Sequence, residues 1–315
     1  MNLRAAGLII LLVAVGAAGC SHERPAPAAQ GRSAAKARTP LGYRIARIVE
    51  PKVEKLCGIA VDERGGIYLA GRPGVVIFDA AWQRQGELRT PQPAAAVALG
   101  EDGKIFVAER QKIHVFERNG REAAAWGTPG AGSGQLSYVT AVAASGTDVW
   151  VADAGNRVVH RFAATGDFID DFGGRDPVTG APGIVCPSPF LGCAVAADGT
   201  LWVGNPGKWR VENYDLNGKM VEVWGRNGLS AETFAGCCNP VTLAVTAEGN
   251  FITAEKGLAR VKLLDRTGKL LAVMPGDEFS IQSSGMTVAA DKAGRIYVAD
   301  PASDKVVIFE LERKQ

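Results

Sequence analysis

Six segments of this chain share one grammar, and that repetition limits the possible fold more than any single motif does. They are GIAVDERGGIYLAGRPGVVIFD from Gly58, AVALGEDGKIFVAERQKIHVFE from Ala96 and AVAASGTDVWVADAGNRVVHRF from Ala141. The others are CAVAADGTLWVGNPGKWRVENYD from Cys193, TLAVTAEGNFITAEKGLARVKLLD from Thr242 and MTVAADKAGRIYVADPASDKVVIFE from Met286. Each opens with small and β-branched residues, turns at a glycine-containing tip and returns through an apolar strand such as Ile105-Phe106-Val107. A polar turn and a third strand such as Ile113-His114-Val115-Phe116 follow. Gly65, Gly103, Gly199, Gly249 and Gly294 supply the tip geometry that other residues resist. Most units add a fourth strand, at Glu122 to Trp126, Asp167 to Phe172, Met220 to Trp224 and Lys269 to Val273.

A four-stranded meander recurring about every 40 to 50 residues predicts propeller blades, because a lone blade cannot cover both its faces. The expected fold is all-β, a six-bladed β-propeller over residues 43–315. Ring closure follows from the ends of the repeat. The last unit stops at Val306 to Leu311 without a fourth strand, whereas Tyr43 to Val49 is a strand without a blade. Pairing the two removes an exposed edge.

The run Val151-Ala152-Asp153-Ala154-Gly155-Asn156-Arg157-Val158 and the run Ile296-Tyr297-Val298-Ala299-Asp300 resemble NHL repeats, over roughly residues 43–311 repeat by repeat. Blade one departs from the pattern with Gly71 where other blades carry an acid or amide. The stretches Val203 to Tyr214, Gly236-Cys237-Cys238-Asn239-Pro240 and Thr253 to Gly257 look like a bacterial subgroup of exported NHL-like proteins with a Cys-Cys-Asn-Pro motif. That resemblance implies no reaction.

The N-terminus reads as an export signal. Arg4 precedes an apolar run from Ala5 to Ala18 that is too short and oddly flanked for a spanning helix. Ala17-Ala18-Gly19-Cys20 resembles a bacterial lipobox, departing from it at Ala17, and implies lipid on Cys20. An ordinary cleaved signal peptide and an uncut anchor are the alternatives, and all three export the chain. The expected organisation is a signal peptide at 1–20, a flexible tether at 21–42 that lacks a periodic apolar pattern, and the propeller. The expected location is the bacterial cell envelope, lipid-anchored and facing the periplasm or the exterior. Net charge is +2, including basic residues of the first 42, so nothing suggests a nucleic-acid partner.

In a meander, the loops between blades and the loops after each second strand share one mouth of the central channel. Cys57, Cys186, Cys193, Cys237 and Cys238 all fall in or beside such loops. Disulfides are the plain reading for an exported chain, and Cys186 to Cys193 could close a small loop. Five is odd, however, so one thiol must be left over or bind something. Adjacent Cys237-Cys238 could form a strained, easily reduced ring, pair elsewhere, or contribute to a thiolate-bound metal such as copper(I), zinc or an iron–sulfur centre.

Glu109, Asp153, Asn205, Glu255 and Asp300 end the second strands. Related propeller lactonases hold calcium with such groups, but in NHL repeats this position usually bonds its own turn. Asn205, Asn239, Glu255, Lys256 and Trp209 are the candidate polar and aromatic neighbours of a mouth site, placed off-centre toward blades four and five. Trp126, Phe172 and Trp224 read as packing between blades. His22, His114 and His160 cannot build the histidine-zinc site of propeller lyases, and no Gly-x-Ser-x-Gly elbow is present. The leading expectation is a non-catalytic binding or scaffold propeller whose mouth takes a protein or small-molecule ligand. A thiol-based redox or metal-handling protein comes second, and a calcium-dependent lactonase-like hydrolase third.

Overall fold

The second strands Ile105–Ala108, Leu201–Asn205, Phe251–Glu255 and Ile296–Asp300 are buried at every residue. A strand sandwiched on both faces reads as a continuous apolar run, and only stacked sheets provide two covered faces. Outer strands are instead largely exposed, as in Met220–Trp224, where only Trp224 is fully buried. The computed structural model describes residues 41–312 apart from Pro177 and Ile281. The expected signal peptide and all but the last two residues of the expected tether lie outside the described residues.

Six four-stranded antiparallel sheets form the blades of a β-propeller. Blade one runs Glu54–Val61, Ile67–Arg72, Gly74–Phe78 and Arg84–Arg89, and blade two runs Ala96–Leu99, Ile105–Ala108, Ile113–Phe116 and Glu122–Trp126. Blade three has Val139–Ser145, Asp148–Asp153, Val158–Ala163 and Phe168–Phe172. Blade four has Cys193–Val195, Leu201–Asn205, Arg210–Tyr214 and Met220–Trp224, and blade five has Thr242–Val245, Phe251–Glu255, Arg260–Leu264 and Leu270–Val273. In blade six, Thr287–Ala290, Ile296–Asp300 and Lys305–Leu311 are completed by Tyr43–Val49. That closing strand runs antiparallel to Lys305–Leu311, from Tyr43 opposite Leu311 to Val49 opposite Val306, as the unpaired ends of the repeat predict.

Arg84–Arg89 was not among the expected strands. Its sequence RQGELR carries one large apolar residue, Leu88, and that side chain alone is buried. Tips between third and outer strands follow a local rule. Asp215 accepts the backbone N–H of Asn217 at 2.9 Å and of Lys219 at 3.0 Å, and Asp265 does the same for Thr267 and Lys269.

Blades lock together through aromatic residues at the ends of outer strands. Trp126 meets Phe162 of the next blade at 4.8 Å between ring centres, Phe172 meets Tyr214 at 6.3 Å, and Trp224 meets Phe251 at 5.6 Å. The expected inter-blade packing role is therefore observed. Each ring slides under the hairpin tip of its neighbour, and at Trp224 that tip is Gly268. A Cβ on Gly268 would stand 2.6 Å from the indole, and φ there is +79°. Gly249 shares the left-handed backbone, at φ +78°, but faces open space. Overpacking of this kind costs about 1–3 kcal/mol beyond the backbone strain. For a domain this large, about 2–4 °C of melting temperature is lost per kcal/mol. Gly268→Ala should therefore lower the melting temperature several degrees more than Gly249→Ala. Equal losses in thermal unfolding would contradict the packing described.

Candidate functional site

In blades two to six, the polar residue that ends or directly follows the second strand is a buried clamp. Asp153 accepts the backbone N–H groups of Ser137 at 2.6 Å and Tyr138 at 2.9 Å, in the loop that leads into its own blade. It also accepts those of Gly155 and Asn156 in its own turn. Glu109 takes the N–H of Gln92 at 2.7 Å, Asn205 that of Val185 at 3.0 Å and Glu255 that of Ala235 at 2.8 Å. Asp300 accepts the hydroxyls of Ser283 and Ser303, both at 2.8 Å.

A buried charge needs a partner, and the third strand supplies it at one register position. His114, His160 and Lys262 stand beside Glu109, Asp153 and Glu255, whereas the amide of Asn205 donates to Glu212 at 2.9 Å. In blade one the clamp position is Gly71, where a Cβ would lie 2.7 Å from the carbonyl oxygen of Glu54 and 2.8 Å from the Val53 side chain.

The calcium reading therefore does not fit. Asn205, Glu255 and Asn239 are each 0% exposed, with their oxygens directed to protein donors rather than toward the channel. Among the described residues, no three histidine, cysteine or acidic side chains form a metal-binding group. The same clamps perturb ionisation. Burial alone would push His160 down, but Asp153 and Asp171 outweigh it and raise the imidazole to about 9. Burial dominates at Lys262 and lowers it to about 8 against the pull of Glu255.

The five cysteines divide into three places. Cys57 lies within an inner strand, its thiol donating to the Ala94 carbonyl at 3.0 Å, and burial pushes it up to about 11. Cys193 begins the inner strand of blade four and is raised to about 12 by burial. Cys186, Cys237 and Cys238 gather around Ser188 where blades four and five meet. The loop-closing bridge between Cys186 and Cys193 is not formed, and none of the five is bridged. Cys186 turns its thiol to the carbonyls of Ser188 at 2.9 Å and Phe190 at 3.3 Å, which draws it away from the inner strand.

Two other candidates prove to be braces. Trp209, half-buried and in left-handed conformation at φ 52°, donates its indole N–H to the Gly236 carbonyl at 2.7 Å. Asn239 donates to Ala235 and Lys256 carbonyls and accepts the Lys256 N–H at 2.9 Å. Together they fix the Cys237-Cys238 loop beside Lys256.

The inner strands enclose a channel cavity of about 260 Å³ whose lining includes Cys57, Thr140, Cys193, Thr242, Thr287 and Phe190. It continues, through Cys57, Ala95, Arg110 and Pro301, into a groove of about 680 Å³ over blades one and two. The channel cavity touches all six blades, and the adjoining groove extends it over blades one and two. Arg110 is the residue that sequence reasoning missed. It sits in the turn after the second strand of blade two, donates to the Val139 carbonyl at 2.7 Å and stacks its guanidinium 4.2 Å from the centre of the Tyr138 ring. The rule that such turns line the mouth pointed to this turn, but its acid, Glu109, masked the neighbour.

Among solved structures, a catalytically inactive virginiamycin B lyase from Staphylococcus aureus crystallised with quinupristin is similar, at 13% identity and a TM-score of 0.58. The similarity covers 86% of this chain and 100% of that one. A streptogramin B lyase is 14% identical with a TM-score of 0.58, over 87% of this chain and 98% of its own. A chain of a mitotic checkpoint complex is 12% identical with a TM-score of 0.60, over 86% and 95%. Identities this low show the shared propeller fold alone. No protein-family model and no curated protein matches the sequence.

The folded pKa of His160, about 9, exceeds the ordinary 6.5, so its pairing stabilises the fold fully below pH 6.5 and loses that contribution as pH rises through about 9. The melting-temperature gap between wild type and His160→Gln should be widest below pH 6.5 and shrink by about pH 9 and above. A gap independent of pH would contradict a charged His160.

Proposed function

We propose that this chain is an NHL-type propeller of the bacterial cell envelope, held to a membrane by lipid on Cys20 and acting as a binding module rather than an enzyme. Its mouth takes a small ligand with an apolar body and an anionic group. The observation that carries this reading is the continuity of the channel cavity with the groove at Arg110.

The channel supplies apolar walls. Arg110 and Lys55 supply the charge, and neither pairs with a carboxylate among the described residues. Glu109 also borders the groove, where its Oε1 accepts the Gln92 N–H and lies 3.4 Å from His114. A guanidinium with one N–H engaged and the rest available suits a carboxylate or similar anion. The thiols nearest this space, Cys57 and Cys193, are held protonated by burial and offer no ready nucleophile.

The amphipathic anion 8-anilinonaphthalene-1-sulfonate serves as a probe of this site. Wild-type protein should bind it saturably, and Arg110→Glu should weaken binding at least about tenfold, equivalent to about 1.4 kcal/mol. Unchanged affinity in that variant, or no saturable binding, would reject the site. Anchoring is tested separately. Native protein should carry lipid on Cys20, and Cys20→Ser should move from the membrane fraction to the soluble extracytoplasmic fraction. An unlipidated wild-type N-terminus would overturn that part of the reading.

A further inference from the structure

A second site lies away from the groove, at the seam of blades four and five. Cys237 is exposed and Cys238 is 1% exposed, yet their sulfurs stand 3.0 Å apart. That separation is far longer than the S–S bond of roughly 2.05 Å. It is also shorter than the edge of roughly 3.8 Å that two thiolates of a tetrahedral zinc site would span, given metal–sulfur bonds of about 2.3 Å. The pair is placed for bonding to each other, not for sharing an ion.

The surroundings favour one proton between two sulfurs. The Ser188 hydroxyl donates to the Cys238 sulfur at 3.3 Å, and Lys256 is on the segment that Asn239 ties to this loop. Burial would raise the Cys238 thiol, but the bonds from Cys237 and Ser188 and the positive charge of Lys256 together pull it below the usual value. Cys237 is raised, chiefly by its bond to Cys238. Asn239 and Trp209 hold the loop from both sides, so this arrangement is built into the fold. The remaining cysteines lack these features: Cys57 and Cys193 are raised by burial, and Cys186 bonds to backbone carbonyls.

We propose that Cys237 and Cys238 form a thiol–disulfide exchange site that accepts oxidising equivalents from an accessible disulfide and becomes a vicinal disulfide. Exposed Cys237 passes its proton to Cys238 and attacks one sulfur of the incoming disulfide. The incoming S–S bond breaks, a mixed disulfide forms on Cys237, and the first leaving sulfur takes up the shared proton. Cys238, again a thiolate, attacks the Cys237 sulfur and expels the second half as a thiolate. The two cysteine sulfurs lose two electrons to the partner disulfide, which is released as one thiol and one thiolate. A ring closed by adjacent residues is strained, and strain makes it easily reduced again. The site therefore cycles rather than staples. This inference is independent of ligand binding in the groove.

The test exposes reduced, folded full-length protein to oxidised glutathione at defined ratios to reduced glutathione, followed by peptide mass spectrometry. Wild type should lose two hydrogens from the peptide carrying 237 and 238, and reduced glutathione should restore them. Cys238→Ser, which cannot complete the second step, should retain one glutathione on Cys237. Lys256→Met should slow the reaction by about tenfold through a smaller thiolate fraction. In intact wild type, alkylation should label this pair first and Cys57 and Cys193 more slowly, so the inference does not depend on any variant folding. A bridge from Cys238 to Cys186, stable glutathione on wild-type Cys237 without bridge formation, or alkylation of the pair no faster than Cys57 would overturn the inference.

Discussion

The clamp at the end of the second strand is the interaction on which the rest of this propeller depends. Each blade must be entered by a loop that crosses the mouth, and the loop's backbone N–H groups are buried where water cannot satisfy them. An oxygen from Glu109, Asp153, Asn205 or Glu255 accepts them, and a serine pair turns to Asp300 in blade six. A carboxylate removed from water costs several kcal/mol unless paired, and a basic side chain, His114, His160 or Lys262, stands on the third strand in blades two, three and five. Where the clamp is the neutral Asn205, its third-strand neighbour becomes Glu212, itself held by Arg210 and the Tyr214 hydroxyl. The chemistry inverts while the geometry stays fixed. Blade one, with Gly71, shows the limit: the backbone at Glu54 and the side chain of Val53 occupy the slot directly.

That constraint decides what the mouth can offer. Groups that look like ligands in the sequence are spent on holding loops in place, and the groups left over are few. On one side Arg110 overlooks a channel and groove. On the other, Cys237 and Cys238 stand beside Lys256 on a loop pinned by Asn239 and Trp209. Ser188 touches the thiol pair, and Phe190, two residues later, lines the channel, so the two places share one loop.

The fold was legible because repetition averages out local ambiguity, and because the unpaired strands at the two ends named each other. Arg84–Arg89 was missed since its register shows only through Leu88. Loop positions could be assigned to one mouth by strand direction, but not the aim of each side chain. Cys57 is therefore a strand residue bonded to Ala94, and Trp209 folds inward onto Gly236. Two of the five cysteines separated from the others for the same reason. Arg110 carried no pattern at all: a single arginine in a polar turn looks like any solvated charge until the cavity beneath it is seen. The clamp role of Asp153 and its counterparts was weighed from the turn chemistry of NHL repeats, whereas their third-strand partners lie in no motif and emerge only from register.

Hydrogen exchange of the full-length protein with and without bound 8-anilinonaphthalene-1-sulfonate tests the central claim most directly, that the functional space is the channel and groove overlooked by Arg110. Ligand should protect backbone amides in 92–97, 110–112 and 140–142, leaving 236–239 unchanged. Protection confined to the outer strands or to the Cys237-Cys238 loop, with none at the Arg110 turn, would contradict it.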